Sequence, residues 1–89
     1  MRRVERTPAS AAADINRTAE LFAQGDVDVL AMWDSFHRNL YDLCRDEPLS
    51  GHFLNMFEAL EAWELSVGPG RSDAEEVARE VARLLAQSA

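Results

Sequence analysis

Apolar side chains return every three or four positions along almost the whole of this chain, and that period admits an α-helix while excluding a strand. The first such stretch opens at Thr7-Pro8, where a threonine oxygen can accept from the free amides of a first turn and proline suits its geometry. Ala11, Ala12, Ile15, Ala19, Phe22 and Ala23 then fall on one face, with Asp14, Arg17, Glu20 and Gln24 expected on the wet side. Gly25 is the expected stop, followed by Asp26 or Asp28 as the next cap.

A second helix is expected from about Asp28 to Arg45. Val29, Leu30, Trp33, Phe36, His37, Leu40, Tyr41, Leu43 and Cys44 form its apolar arc, opposite Asp34, Ser35, Arg38, Asn39, Asp42 and Arg45. So wide an arc places this helix at the centre of the core. On that reading, truncating Trp33 costs about 3 to 5 kcal/mol. Pro48 breaks the chain and can open the third helix. This helix is expected to bury Leu49, Phe53, Met56, Phe57, Leu60, Trp63 and Val67. Gly68-Pro69-Gly70 reads as a loop, and Ser72 to Glu75 as a capping box. The fourth helix then presents Ala74, Val77, Ala78, Val81, Leu84 and Leu85, with Glu75 and Arg79 as an i,i+4 pair. No run alternates with period two and no segment repeats. The expected fold is all-α, a small four-helix, mostly antiparallel bundle over residues 8–89 behind a flexible basic arm at 1–7.

Eighty-nine residues suit one domain, and 47% hydrophobic residues can supply its core. Every basic residue is arginine, and the net charge is −7. From Glu20 to Glu64 acids outnumber bases ten to two, the wrong sign for gripping phosphates, so no nucleic-acid partner is expected. Arg2, Arg3 and Arg6 are too few to reverse that. No apolar run approaches a membrane span and no apolar stretch follows the first arginines, so neither a membrane partner nor a secretion signal is expected. The expected location is the cytoplasm of a bacterium with a GC-rich genome. Cys44 is the single cysteine, and no internal disulfide is possible.

Reactive groups are scattered. His37 and Cys44 share a face seven residues apart, roughly 10.5 Å along a helix, too far for one metal or one hydrogen bond. His52 can approach Cys44 across the Pro48 turn, but only Arg45 is placed to activate the thiol. Asp34 and His37 resemble in spacing the Glu-x-x-His pair of di-iron carboxylate bundles. A dimer would supply the second pair, with Glu58 and Glu61 as further ligands. The carboxylate arm here is one methylene shorter. Asp34-Ser35-Phe36 is similar to the Asp-Ser-Leu attachment site of phosphopantetheine carrier proteins, which are also acidic four-helix domains. That resemblance implies a prosthetic arm on Ser35, although the serine stands mid-helix where the family's opens one. No catalytic residue, metal site or cofactor is expected.

Leu54, Glu58, Glu61 and Leu65 follow i, i+4, i+7, i+11 spacing and form a stripe opposite the buried face of the third helix. Leu21 is a further outward leucine. Two leucines bracketing two acids suit a helix that docks another protein. The expected function is therefore a non-enzymatic, acidic protein–protein interaction module, such as an adaptor, small regulator, or immunity- or antitoxin-like protein. Its partner would be another protein, or itself as a homodimer. The alternatives are a carrier-type or metal-binding subunit built on Asp34, Ser35 and His37, and a purely structural homo-oligomerising unit.

Overall fold

A computed structural model describes residues 7–88, and every regular element among them is an α-helix: α1 (Pro8–Gln24), α2 (Val29–Leu43), α3 (Gly51–Leu65) and α4 (Pro69–Gln87). The all-α bundle expected from the periodicity is the fold. Residues 1–6 of the expected basic arm, and Ala89, lie outside the described residues. Thr7 belongs to α1 as its N-cap. Its Oγ1 accepts from the Ser10 amide at 3.1 Å, and Ser10 Oγ accepts from the Thr7 amide at 3.2 Å. The reciprocal pair satisfies two donors that have no intrahelical partner.

Gly25 closes α1 with φ of 85°, a conformation costly for any residue with a Cβ. The Asp26 amide reaches back to the Leu21 carbonyl at 2.8 Å and the Gly25 amide to that of Phe22 at 3.1 Å, which is a Schellman closure. Asp28 Oδ1 then accepts from the Ala31 amide at 2.9 Å and starts α2.

Two expected boundaries move. Pro48 lies ahead of α3, which begins at Gly51 with Ser50 as its N-cap. Helix α4 begins earlier than expected. Gly68, at φ 61° and ψ −143°, turns the chain, and Pro69 occupies the first helical turn. Proline's fixed φ is already helical there and its missing N–H costs nothing. The expected Gly68-Pro69-Gly70 loop is thus mostly helix, and Ser72 lies inside α4 instead of capping it.

The packing order differs from the expected one. α2 is not the central helix. The backbone of α1 lies close along both α2 and α4, and α4 also packs along α3, while α2 nears α3 and α4 at few backbone positions. Side-chain size accounts for this. Ala11 and Ala19 on α1, and Ala78 and Ala82 on α4, are fully buried, and methyl groups let helix axes approach. Between α2 and α3 stand rings: Trp33 and Phe36 each lie 5.9 Å from Phe57, centroid to centroid. These aromatic pairs hold the two helices together while keeping their backbones apart. Ile15, Phe22, Met32, Phe36, Met56, Leu60 and Leu85 are the large apolar side chains sealed in the core.

Helix α2 is also rotated from the expected orientation. Met32 is fully buried, and so are Ser35 and Asn39, which were expected on the wet side. Leu30 and Tyr41 are 60% and 80% exposed, and His37 is exposed. Trp33 is only half-buried, so its truncation costs less than a sealed aromatic would. The cause lies on α1, which presents Asp14 and Thr18 to α2. The Thr18 hydroxyl is hydrogen-bonded to Ser35 Oγ at 3.0 Å, and Asn39 Nδ2 donates to Asp14 Oδ2 and to the Ser35 carbonyl, both at 2.8 Å. Polar partners on both helices make burial of Ser35 and Asn39 affordable.

Arg79 clasps α4 to α1. It pairs with Glu75 as expected, at 3.0 Å, donates to the Phe22 carbonyl near the end of α1, and stacks 4.6 Å from the Phe22 ring centroid. A cation at the carbonyl end of a helix is favourably placed. Two turns earlier on α4, Arg71 covers Trp63 at 4.2 Å. Val67 and Val77, both expected inside, are 81% and 58% exposed, and Leu84 is 45% exposed.

Candidate docking face

Helix α3 carries large apolar side chains on its outer as well as its inner face. Met56, Ala59, Leu60 and Trp63 face inward and are buried, and Phe53 and Phe57 are half-buried on their flank. Opposite them lie Leu54, Glu58, Glu61 and Leu65, all exposed, with Leu54 at 37% and Leu65 at 84%. Here α4 covers one side, rings from α2 cover another, and the outer side is bare.

The carboxylates of this face are unneutralised from within. Helix α3 contains no lysine or arginine. Among the described residues neither Glu58 nor Glu61 forms an ion pair or hydrogen bond, whereas Asp34, Asp42, Glu75 and Glu80 each meet an arginine three or four residues on. The four residues singled out from spacing therefore share one solvent-facing ridge. Leu21, expected as a further outward leucine, is half-buried on α1.

The sequence places Leu30, His37 and Tyr41 in the core, but they stand exposed on α2 and form a shoulder on the side of that helix turned away from its buried Met32, Ser35 and Asn39. Trp33 links the two helices. Its indole N–H donates to Glu64 Oε2 on α3 at 3.0 Å, and the His37 ring meets it edge-on at 4.1 Å. Ring, carboxylate and imidazole form a ridge-spanning bridge, with the α2 apolar shoulder on one side and the α3 stripe on the other. The signal that marks the shoulder is Met32, whose in-phase placement with Val29 and Phe36 rotates Leu30 and Tyr41 outward.

The other candidate chemistries come apart in space. Ser35 is 1% exposed and engaged by Thr18, so its hydroxyl is not presented as an attachment point for a prosthetic arm. Asp34 lies 3.5 Å from Arg38 in an exposed pair, and His37 contacts Trp33. Among the described residues no three histidine, cysteine, aspartate or glutamate side chains gather as a metal set, which leaves Asp34, His37, Cys44, His52, Glu58 and Glu61 unassembled. The cleft beside Trp63 is lined by charges of both signs, Arg71, Glu75, Glu76 and Arg79.

No known family, curated protein or solved structure matches this chain. No helix among the described residues is long and apolar enough to cross a membrane.

Proposed function

We propose that this domain is a non-catalytic protein-binding module that docks its target through the outer face of α3. The observation that carries this reading is the ridge of Leu54, Glu58, Glu61 and Leu65 along the exposed half of α3, two leucines bracketing two carboxylates that have no cation among the described residues. Exposed apolar side chains that line up with polar ones between them are a feature of interaction sites. Scattered single leucines are not, and Leu54 and Leu65 are aligned. Leucine supplies contact area, and the two glutamates restrict which surfaces can approach without leaving a desolvated, unpaired charge. An acidic helical module of this size fits the role of an adaptor, small regulator, or immunity- or antitoxin-like protein of the bacterial cytoplasm. The partner is another protein, with self-association as the competing arrangement.

The test is the double substitution Leu54→Arg with Leu65→Arg. Both side chains are exposed, so the helical signal in circular dichroism should be unchanged. Association should be lost, read as a fall in mass by size-exclusion chromatography with light scattering, or as loss of partners that the wild-type chain retains on affinity capture. Unchanged mass together with unchanged capture would return the ridge to ordinary surface.

A further inference from the structure

Resting on the docking reading, we infer that the occupant of this face is a cationic amphipathic helix of another protein, laid along α3 and leaning on the α2 shoulder. Three features of the face converge on that partner. The first is length. Leu54 to Leu65 spans eleven residues, roughly 16 Å at about 1.5 Å per residue, a run of three turns that a helix can match. The second is charge. Glu58, Glu61 and the neighbouring Glu64 are exposed on a helix that carries no lysine or arginine, and the first two have no cation among the described residues. An apolar partner without positive charge would bury those carboxylates unpaired, which is strongly unfavourable. A partner with arginine or lysine at the facing positions gains charge-assisted hydrogen bonds instead.

The third is the symmetry of the stripe. Its spacing of four, three and four residues reads the same in both directions: leucine, acid, acid, leucine. A second copy of α3 laid antiparallel across a two-fold axis would therefore set Glu58 against the copy's Glu61, and each leucine against a leucine. Like charges would meet twice at the centre of that interface. A foreign helix carrying leucine, arginine, arginine, leucine at the same spacing matches the stripe in either direction. The α2 shoulder supplies a second rail. Leu30, His37 and Tyr41 are exposed on α2, which the Trp33–Glu64 hydrogen bond joins to α3, and they are the further contact area offered to a helix that leans from the ridge toward α2. Helix-in-groove recognition uses this arrangement of anchors at i, i+3, i+4 and i+7.

The experiment uses a labelled synthetic peptide of about 15 residues, which covers the stripe at about 1.5 Å per residue, with leucine, arginine, arginine and leucine at i, i+4, i+7 and i+11. Binding to the full chain is followed by fluorescence anisotropy at low and physiological salt. A scrambled peptide of the same composition controls for bulk charge. So does a protein carrying Glu20→Gln and Glu76→Gln, which removes two exposed charges elsewhere. The expected result is binding that exceeds the scrambled peptide's and weakens with salt. It should fall about tenfold or more in Glu58→Gln with Glu61→Gln, as loss of paired interfacial charges does, and little in the control variant. Leu54→Arg with Leu65→Arg should abolish it. Equal binding of the scrambled peptide, or equal loss in the two glutamine variants, overturns the partner's chemistry and leaves the docking reading to its own mass and capture test. If the protein alone is a dimer that Leu54→Arg with Leu65→Arg dissociates, the occupant is a second copy and this inference is wrong.

Discussion

Asn39 is where side-chain chemistry and helix periodicity disagree. Periodicity places it outside, because an amide has no claim on an apolar arc. The structure seals it completely, with Nδ2 donating to Asp14 and to the Ser35 carbonyl, while Oδ1 is left without a hydrogen-bond partner. A sequence cannot announce that an aspartate twenty-five positions earlier will face this amide, so Ser35 and Asn39 were illegible. Two substitutions separate what the site gains from what it costs. Asn39→Asp replaces a donor to Asp14 with a second carboxylate in a buried position and should cost about 2 to 4 kcal/mol, because like charges then meet where an amide had donated. Asn39→Leu removes both the satisfied donor and the stranded acceptor, and half-buried Asp14 retains access to water, so its cost should stay within about 1 kcal/mol. Urea denaturation of the two variants beside wild type reads the difference. Equal losses would show that the lost Nδ2 donor, common to both variants, sets the cost and that repulsion between the carboxylates adds nothing.

At the level of elements, each helix was legible because the signals that create it are local. Thr7-Pro8, Gly25 and Asp28 act within four residues of themselves, and they occupy the predicted places. The start of α4 was misread because two local signals compete. Ser72-Asp73-Ala74-Glu75 has the composition of a capping box, but Pro69 can begin a helix one turn sooner if the preceding residue turns left. Gly68 does so at φ 61° and ψ −143°, a combination that glycine alone occupies comfortably. The two signals predict opposite mutational costs. Gly68→Ala should destabilise by about 1 to 3 kcal/mol through backbone strain, although no atom crowds the position where a Cβ would stand. Ser72→Ala, in the first turns of an established helix and exposed, should change stability by less than about 0.5 kcal/mol. Thermal melts of both variants decide between the boundaries, since a capping serine would lose about 1 kcal/mol on the same change. The α3 stripe was legible for the same local reason. Four positions on one helix fix their own common direction, whatever the neighbours do.

For the molecule as a whole, what could not be read was which helix touches which. Helix count and short connections imply an antiparallel set, but neighbour order depends on how closely each pair of surfaces can approach. Alanines decide that on α1 and α4, and rings decide it between α2 and α3. The exposure of Leu30 and Tyr41 on α2 follows from this long-range outcome, which is why the period of α2 alone does not reveal it. It also implies unequal cohesion. Because α2 and α3 nearly lack close backbone approach, their mutual hold passes through Phe57, which meets both Trp33 and Phe36. Phe57→Ala should therefore cost about 2 to 3 kcal/mol, below the value for a sealed phenylalanine because this ring is half-buried. The loss should be local in its first effect. Amide exchange should quicken in α2 and α3 while the alanine-packed α1 and α4 stay protected, since regions open in units set by their own contacts. Leu60→Ala, which empties the shared core, should instead quicken exchange in all four helices. Uniform acceleration in Phe57→Ala would mean that the rings are part of one indivisible core, and that the face they support is as rigid as the rest of the bundle.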